Sequence, residues 1–159
     1  MITGQASNFE GGMGGWTCYD RGTGRAHGNC HTHINYEGRS SVAHSHGDCP
    51  NTQGGISQTF ATTARTSYKL IFVAFAGTWD GTDTDDFYIR VSNSNADEWV
   101  QMSVDHGAWN KVEHAFVADG EVQITIWSDV NHCIDVDDII LQDCSGAGIE
   151  HIRRVKELY

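Results

Sequence analysis

One aspartate in the last strand-like run of the sequence needs a chemical explanation. In the run IDVDDIIL, alternation along a strand predicts that Asp137 shares the inward face of Ile139 and Leu141. A lone buried carboxylate destabilises a fold unless a cation or hydrogen bonds neutralise it. Calcium suits the position because it accepts carboxylates together with backbone carbonyls. If the first and last strands pair, Glu10 in NFEGG is the second ligand; the alternatives are a hydrogen-bonded aspartate and an acidic exposed edge.

A second constellation combines aromatic rings with amides and a guanidinium. Alternation in the runs DFYIRVS, EWVQMSV and EVQITIW separates an apolar inward face from an outward face. Flat rings cover the apolar C–H face of a sugar, and flanking polar groups bond its hydroxyls. The alternatives are that loops cover these rings, or that strand order places them on different sheets. The residues predicted to form this carbohydrate-binding platform are Tyr88, Arg90, Trp99, Gln101, Gln123 and Trp127.

A third constellation gathers histidines and cysteines within residues 30–49. In an extended chain His31 and His33 point the same way, as do His44 and His46. Two such strands side by side would form a second metal site, for zinc or copper. The spacing matches no zinc-finger pattern, and histidine is also a common surface residue, so both interpretations stand.

Composition excludes several classes of function. The chain has 159 residues, with 10 Lys and Arg against 21 Asp and Glu, for a net charge of −11. This balance argues against nucleic acid and against an anionic membrane surface as partners, and favours a neutral ligand or a cation. The longest apolar run is too short to be inserted in a membrane, and no signal peptide precedes it. We expect an extracellular location, or one on a cell or virion surface.

The elements that position these residues are strands. Residues 11–55 are rich in turn signals and contain at least one short strand, through Arg39 to Ala43. From Gly55 seven strand-like runs follow, separated by short turns that include the ADG at 118–120. This spacing predicts an all-β fold, an antiparallel two-sheet β-sandwich over residues 1–145. Residues 146–159 carry apolar residues at helical spacing and predict a short amphipathic helix, a linker or a docking segment.

The five cysteines indicate disulfide bonding with at least one thiol left over. An exported domain of this size pairs some of its cysteines, and an odd number leaves one free, ligating or bonded to another chain. Cys133 and Cys144 flank a predicted strand that holds them too far apart to bridge. Cys30 and Cys49 are the pair we expect to be bridged.

The order of the motifs resembles that of a known group. The succession of NFEGG, GGISQTFATTARTSYKLIFVAF, DTDDFYIRVS, GAWNKVEHAFVAD, VQITIW and IDVDDIIL is similar to the jelly-roll carbohydrate-binding modules, over residues 7–143. The resemblance implies two antiparallel sheets, sugar binding on a sheet or in edge loops, and a structural calcium. It carries the calcium ligands onto Glu10 and Asp137, with Asp138 as the alternative neighbour. The stretch from Cys18 to Cys49 departs from the pattern of the group.

The sequence therefore predicts a non-catalytic, calcium-stabilised module that binds a polysaccharide or glycan outside the cell. It contains no G-x-S-x-G, Walker or H-E-x-x-H motif. The alternative is a structural or adhesive protein of the same fold that self-associates into a fibre, a surface layer or a virion appendage. A small extracellular hydrolase is a third reading.

Overall fold

The computed structural model describes residues 5–7, 9, 13–19, 31–36, 39–44, 54–76, 84–128 and 134–146. Within these ranges the regular structure is entirely β. The strands are β1 Gln5–Ser7, β2 Thr17–Tyr19, β3 His31–Tyr36, β4 Arg39–His44, β5 Gly54–Phe60, β6 Ser67–Ala76, β7 Thr84–Ser94, β8 Val100–Asp105, β9 Trp109–Ser128 and β10 Ile134–Asp143. No helix long and apolar enough to span a membrane occurs in this part of the chain.

The strands pair in two antiparallel sheets. In the first sheet β6 lies between β9 and β10. The other edge of β10 pairs with β4 near its start and with β1 near its end, and β3 pairs with β4. In the second sheet the order is β2, β5, β9, β7, β8. The predicted all-β, two-sheet sandwich is confirmed.

Strand β9 belongs to both sheets. Residues 109–117 pair with β6 in the first sheet, and residues 122–128 lie between β5 and β7 in the second. The predicted turn at 118–120 is therefore wrong: the chain continues as one strand of 20 residues. Gly120 has a φ of +112° at the crossing, and the Asn93 amide donates to the carbonyls of Asp119 and Glu121. These two hydrogen bonds satisfy the backbone carbonyl groups on either side of Gly120.

The core lies between the sheets and follows the predicted alternation. Phe87, Ile89 and Val91 of β7 are fully buried, as are Ile124 and Ile126 of β9. Every second residue of β6, from Tyr68 to Ala76, is buried on the matching face of the first sheet. One face of each sheet is thereby sealed, and only the outer faces and the loops are available for function.

Two of the five cysteines lie within the described residues. Cys18 is disulfide-bonded and Cys144 is a free, exposed thiol. Cys30, Cys49 and Cys133 lie outside the described residues, and so does the predicted C-terminal helix beyond Gly146. The expected Cys30–Cys49 bridge and the boundary at residue 145 stay predictions.

Candidate functional site

The outer face of the second sheet carries one row of residues across all five strands. Strand register places Tyr19, Gly55, Trp127, Tyr88 and Gln101 directly side by side, from β2 to β8. Cross-strand neighbours share a face of the sheet and lie about 5 Å apart. The row therefore brings residues from five separate stretches of sequence onto one continuous surface.

Aromatic rings on this surface form a single cluster. The ring centroids of Tyr88 and Trp127 are 5.4 Å apart, and those of Trp99 and Trp127 are 6.0 Å apart. Trp99 also reaches Tyr19, at 6.0 Å. These four residues are called the aromatic cluster below. The sequence predicted three of them, and the structure does bring those three together.

Burial within the aromatic cluster is unequal. Trp127 is only 3% exposed, whereas Trp99, Tyr88 and Tyr19 are half-buried. Trp127 therefore supports its neighbours rather than offering an open ring, because Trp99 and Tyr88 pack against it. The surface available to a ligand is formed by the three outer rings, with Trp99 between the two tyrosines in the chain of contacts.

Gly55 makes this arrangement possible. A Cβ at that position would collide with the Ile126 carbonyl oxygen and lie 2.8 Å from the Cα of Trp127. In the row, Gly55 lies between Tyr19 and Trp127. The ring of Trp99 contacts the rings of both neighbours, and Gly55 has no side chain between them. The glycine thus permits the close approach of β5 to β9.

Arg90 is held in place beside the cluster. Its Nε donates to Asp97 Oδ1 at 2.8 Å, and its guanidinium carbon lies 5.9 Å from the centre of the Trp99 ring. The hydrogen bond from Arg90 holds the pKa of the Asp97 carboxyl below its usual value, although desolvation of the carboxyl opposes this shift. Asp97 therefore stays ionised, and the guanidinium is oriented against the ring of Trp99.

The amides predicted to flank the rings lie at two ends of the face. Gln101 Nε2 donates to Asp86 Oδ2 at 2.6 Å, and Ser103 Oγ donates to Asp86 Oδ1 at 2.7 Å. Gln123 pairs with Ser92, four residues along β9 from Trp127, which is about 13 Å at the usual rise of a strand. Gln101 thus borders the aromatic cluster, and Gln123 lies beyond it on the same face.

Two hydroxyl residues between the aromatic cluster and Gln123 are buried. Ser57 and Thr125 are 4% and 3% exposed, and their hydroxyl oxygens are 3.3 Å apart. Sequence reasoning did not place either residue on this face, nor did it place Tyr19, Asp86 or Asp97 there. The alternation of TCY was the available signal for Tyr19, but only strand register shows that β2 joins the second sheet.

The predicted calcium ligand Asp137 is buried, but on the other side of its strand. The register between β10 and β6 shifts between Asp137 and Ile140, and Asp138 there has a φ of +50°. This bulge inverts the alternation, so the prediction that Asp137 shares a face with Ile139 is wrong. Asp137 pairs with Val73 on the outer side of the first sheet and is nevertheless 4% exposed.

The surroundings of Asp137 fit a hard cation in part. Asp137 Oδ1 accepts the backbone N–H of Asp138 at 2.8 Å, and the Asp138 side chain is exposed. The predicted pairing of the first and last strands is present, with Ser7 opposite Ile139. Glu10 lies outside the described residues. Among the described side chains, no group of three or more His, Cys, Asp or Glu could hold a metal ion.

The histidine strands do lie side by side. His31 pairs with His44 across β3 and β4, and His44 pairs with Asp135 of β10. His33 pairs with Val42, and His46 lies outside the described residues. The backbone register therefore places two histidines and one aspartate in a single cross-strand row.

Two comparisons with known proteins find nothing and the third finds many solved structures. No protein-family model and no curated protein matches the chain. The xylan-binding CBM22-1 domain of Paenibacillus barcinonensis Xyn10C superposes with a TM-score of 0.63 at 13% identity, covering 92% of this chain and 97% of that one. The K3 cleaved adhesin domain of Lys-gingipain from Porphyromonas gingivalis gives 0.62 at 12%, covering 89% and 98%.

A third structure is larger than this chain. The Clostridium thermocellum xylanase 10B modules CBM22-1 and GH10, complexed with xylohexaose, match with a TM-score of 0.65 at 15% identity. The match covers 87% of this chain but only 28% of that one. The resemblance to jelly-roll carbohydrate-binding modules is thus confirmed at the level of the fold.

Proposed function

We propose that this chain is a non-catalytic, extracellular carbohydrate-binding module that binds a neutral glycan on the outer face of the second sheet. The observation that carries the proposal is the aromatic cluster, with Arg90 fixed over Trp99 by Asp97. Half-buried rings beside held polar groups are the combination that binds sugars, since the rings cover C–H faces and the polar groups bond hydroxyls.

The roles within the cluster follow from burial. Trp99 contacts Trp127, Tyr19 and Arg90 and remains half-buried, so it is the ring that stacks on the sugar. Trp127 is the buried support beneath it. Gln101 and Arg90 supply hydrogen bonds at the border, and Gln123 contacts only a ligand long enough to reach it.

The ligand is a neutral polysaccharide, with xylan the first candidate. The net charge of −11 disfavours an anionic glycan, and the charge of Arg90 is already balanced by Asp97. The xylan-binding domain and the xylohexaose-bound modules among the structural neighbours support this choice of probe.

Retention on xylan in native affinity electrophoresis tests the proposal. We expect Trp99→Ala to lose retention, because it removes the stacking surface, and Trp109→Ala to keep it. Trp109 is the matched control: it is also half-buried, but it packs on Phe75 at 5.5 Å in the first sheet. Equal retention by wild type and Trp99→Ala would contradict the proposal.

We also propose a structural calcium ion at Asp137, with Glu10 as second ligand and Asp138 as alternative neighbour. Support comes from the burial of Asp137 and from the pairing of β1 with β10. Calcium would then raise the melting temperature after EDTA treatment, as a ligand of the folded state does. The variant Asp137→Asn should abolish that rise, and a rise of unchanged size would exclude this site.

Zinc or copper at His31 and His44 is a second metal proposal, with His33 and His46 as further ligands. The register that aligns His31, His44 and Asp135 supports it, because nitrogen and carboxylate donors together suit both metals. Elemental analysis after dialysis against zinc should give one equivalent for wild type and none for His44→Ala. One equivalent in both proteins would contradict it.

The second candidate function is a structural or adhesive role of the same fold. Its support is the match to adhesin domains of Lys-gingipain, which superpose as well as the xylan-binding domains do. Light scattering distinguishes the two: a binding module is monomeric at micromolar concentration, whereas an assembly protein self-associates. Turnover of a polysaccharide would contradict both candidates.

A further inference from the structure

A cavity of about 440 Å³ opens at the corner where β9 crosses between the sheets. It lies where the loops after β5 and β7 meet the middle of β9. The cavity opens to solvent and has a mixed polar and apolar lining, which includes Arg65, Asn93, Asn95, Asp97, Val117 and Asp119.

The walls of the cavity are fixed by backbone hydrogen bonds. The N–H of Arg65 donates to the Ala118 carbonyl at 2.7 Å, and the N–H of Asn95 donates to the Val117 carbonyl at 3.1 Å. The N–H of Val117 in turn donates to Asn95 Oδ1 at 2.7 Å. The cavity is therefore formed before any ligand arrives, which lowers the ordering cost of binding.

Several polar groups in the cavity remain available to a ligand. Within the described residues, the Arg65 guanidinium and the Asp119 carboxylate make no hydrogen bond or ion pair. The Asn95 amide accepts through its oxygen and keeps its NH₂ group for a ligand. One cation, one anion and one amide together present donors and acceptors without a strong net charge, which suits hydroxyl groups.

Asp97 joins this cavity to the aromatic cluster. It lines the cavity and at the same time accepts from Arg90, which lies over Trp99. Along β7 the path from Arg90 to Ser94 is four residues, about 13 Å at the usual rise. A chain of sugar units lying on Trp99 and continuing along β7 reaches the cavity.

We infer that the cavity is a second subsite of the same surface, which binds the hydroxyls of a neutral sugar unit further along the glycan. Arg65 donates to that unit, Asp119 accepts from it, and Asn95 donates a third bond. The inference rests on the proposed function and deepens it: the protein recognises the length of a glycan chain, with the aromatic cluster holding one part and the cavity another.

Calorimetric titration with xylotriose and xylohexaose tests the inference on the full chain. Wild type should bind xylohexaose at least fivefold more tightly, because only the longer ligand spans both subsites. Arg65→Asn should lower the affinity for xylohexaose about fivefold, roughly 1 kcal/mol, and leave that for xylotriose unchanged. Asparagine suits this position because Arg65 has a φ of +62°.

Two further variants make the test specific. Asp119→Ala should reproduce the loss seen with Arg65→Asn, and Lys69→Ala, which removes an exposed cation on the first sheet, should change neither affinity. If both ligands lose affinity equally, or if neither cavity variant loses any, the inference is overturned. The proposed function at the aromatic cluster stands in either case as long as wild type still binds the ligands. Absence of wild-type binding to both ligands would remove the proposed function and the inference with it.

Discussion

The outer faces of the two sheets differ in chemistry although the same alternation builds both. On the first sheet, Lys69 and Lys111 pair with Glu113, with nitrogen–oxygen distances of 3.2 and 2.5 Å and substantial exposure of all three side chains. On the second sheet, the charged groups of Arg90, Asp97 and Asp86 bond to neighbouring side chains beside the aromatic cluster. Exposed ion pairs contribute little stability and keep a surface solvated, whereas a face of half-buried rings can bind a partner.

Strand β9 contributes side chains to the outer faces of both sheets. The first half of β9 carries Lys111 and Glu113 at the edge of the first sheet, and its second half carries Thr125 and Trp127 in the middle of the second. Trp127 is buried although it faces outward, because the rings of Tyr88 and Trp99 pack against it.

The largest effect is expected from Trp127→Ala. Removing a buried tryptophan should destabilise the fold by about 3 kcal/mol or more, which lowers the melting temperature of a domain this size by roughly 6–12 °C. Thermal unfolding checks this against Trp109→Ala, whose ring is half-buried and should matter less. A melting temperature within about 2 °C of wild type would show that Trp127 is not the support of the cluster.

A smaller effect, on binding alone, is expected from Asp97→Asn. Loss of the carboxylate frees Arg90 from its position over Trp99. The affinity for xylohexaose should therefore fall about threefold, which corresponds to the lower end of the net free energy of one hydrogen bond. Glu113→Gln on the first sheet removes a comparable exposed carboxylate and should leave affinity unchanged. Equal affinities for wild type and Asp97→Asn would mean that the guanidinium plays no part.

The pKa of Asp97 adds a pH test. Because the hydrogen bond from Arg90 lowers this pKa, the Asp97 carboxylate remains ionised to a lower pH than an ordinary aspartate does. Affinity for xylohexaose should therefore be constant between about pH 7 and pH 5. A steep loss of affinity in that interval would contradict the assigned ion pair.

The smallest effect concerns His114, in the first-sheet half of β9. Burial lowers the pKa of His114, so the unfolded state binds the proton more readily. The stability contribution of the neutral ring is thus complete above about pH 6.5 and is lost as the pH falls toward the lowered pKa. Urea unfolding of wild type and His114→Gln should diverge less at pH 5 than at pH 7.5, and an equal difference at both would exclude this linkage.

Sequence alternation predicted much of this molecule because the side chains of a strand with one buried face alternate between apolar and polar. Phe87, Ile89 and Val91 follow that rule, and so do Val122, Ile124 and Ile126. Three of the four rings in the aromatic cluster were found in this way. The cluster itself is non-local, since Tyr19 reaches Trp99 only through the order of β2, β5, β9 and β7.

The failures arise where the backbone departs from simple alternation. Gly120 lets β9 cross between sheets where its ADG sequence predicts a turn, and the bulge at Asp138 reverses the face of Asp137. Cavity residues such as Arg65 and Asn93 adopt positive φ without being glycine, which no periodicity signals. Register, bulges and sheet crossings are tertiary properties, and the site depends on all three.

The most direct test of the central claim follows the indole N–H signals of the five tryptophans by NMR during titration with xylohexaose. If the glycan stacks on the second sheet, the Trp99 signal shifts in a saturable way. The signals of Trp16, which packs on Phe60 in the core, and Trp109, on the first sheet, stay in place. A saturable shift of Trp109 with Trp99 unmoved, or no shift in any signal, would contradict the account.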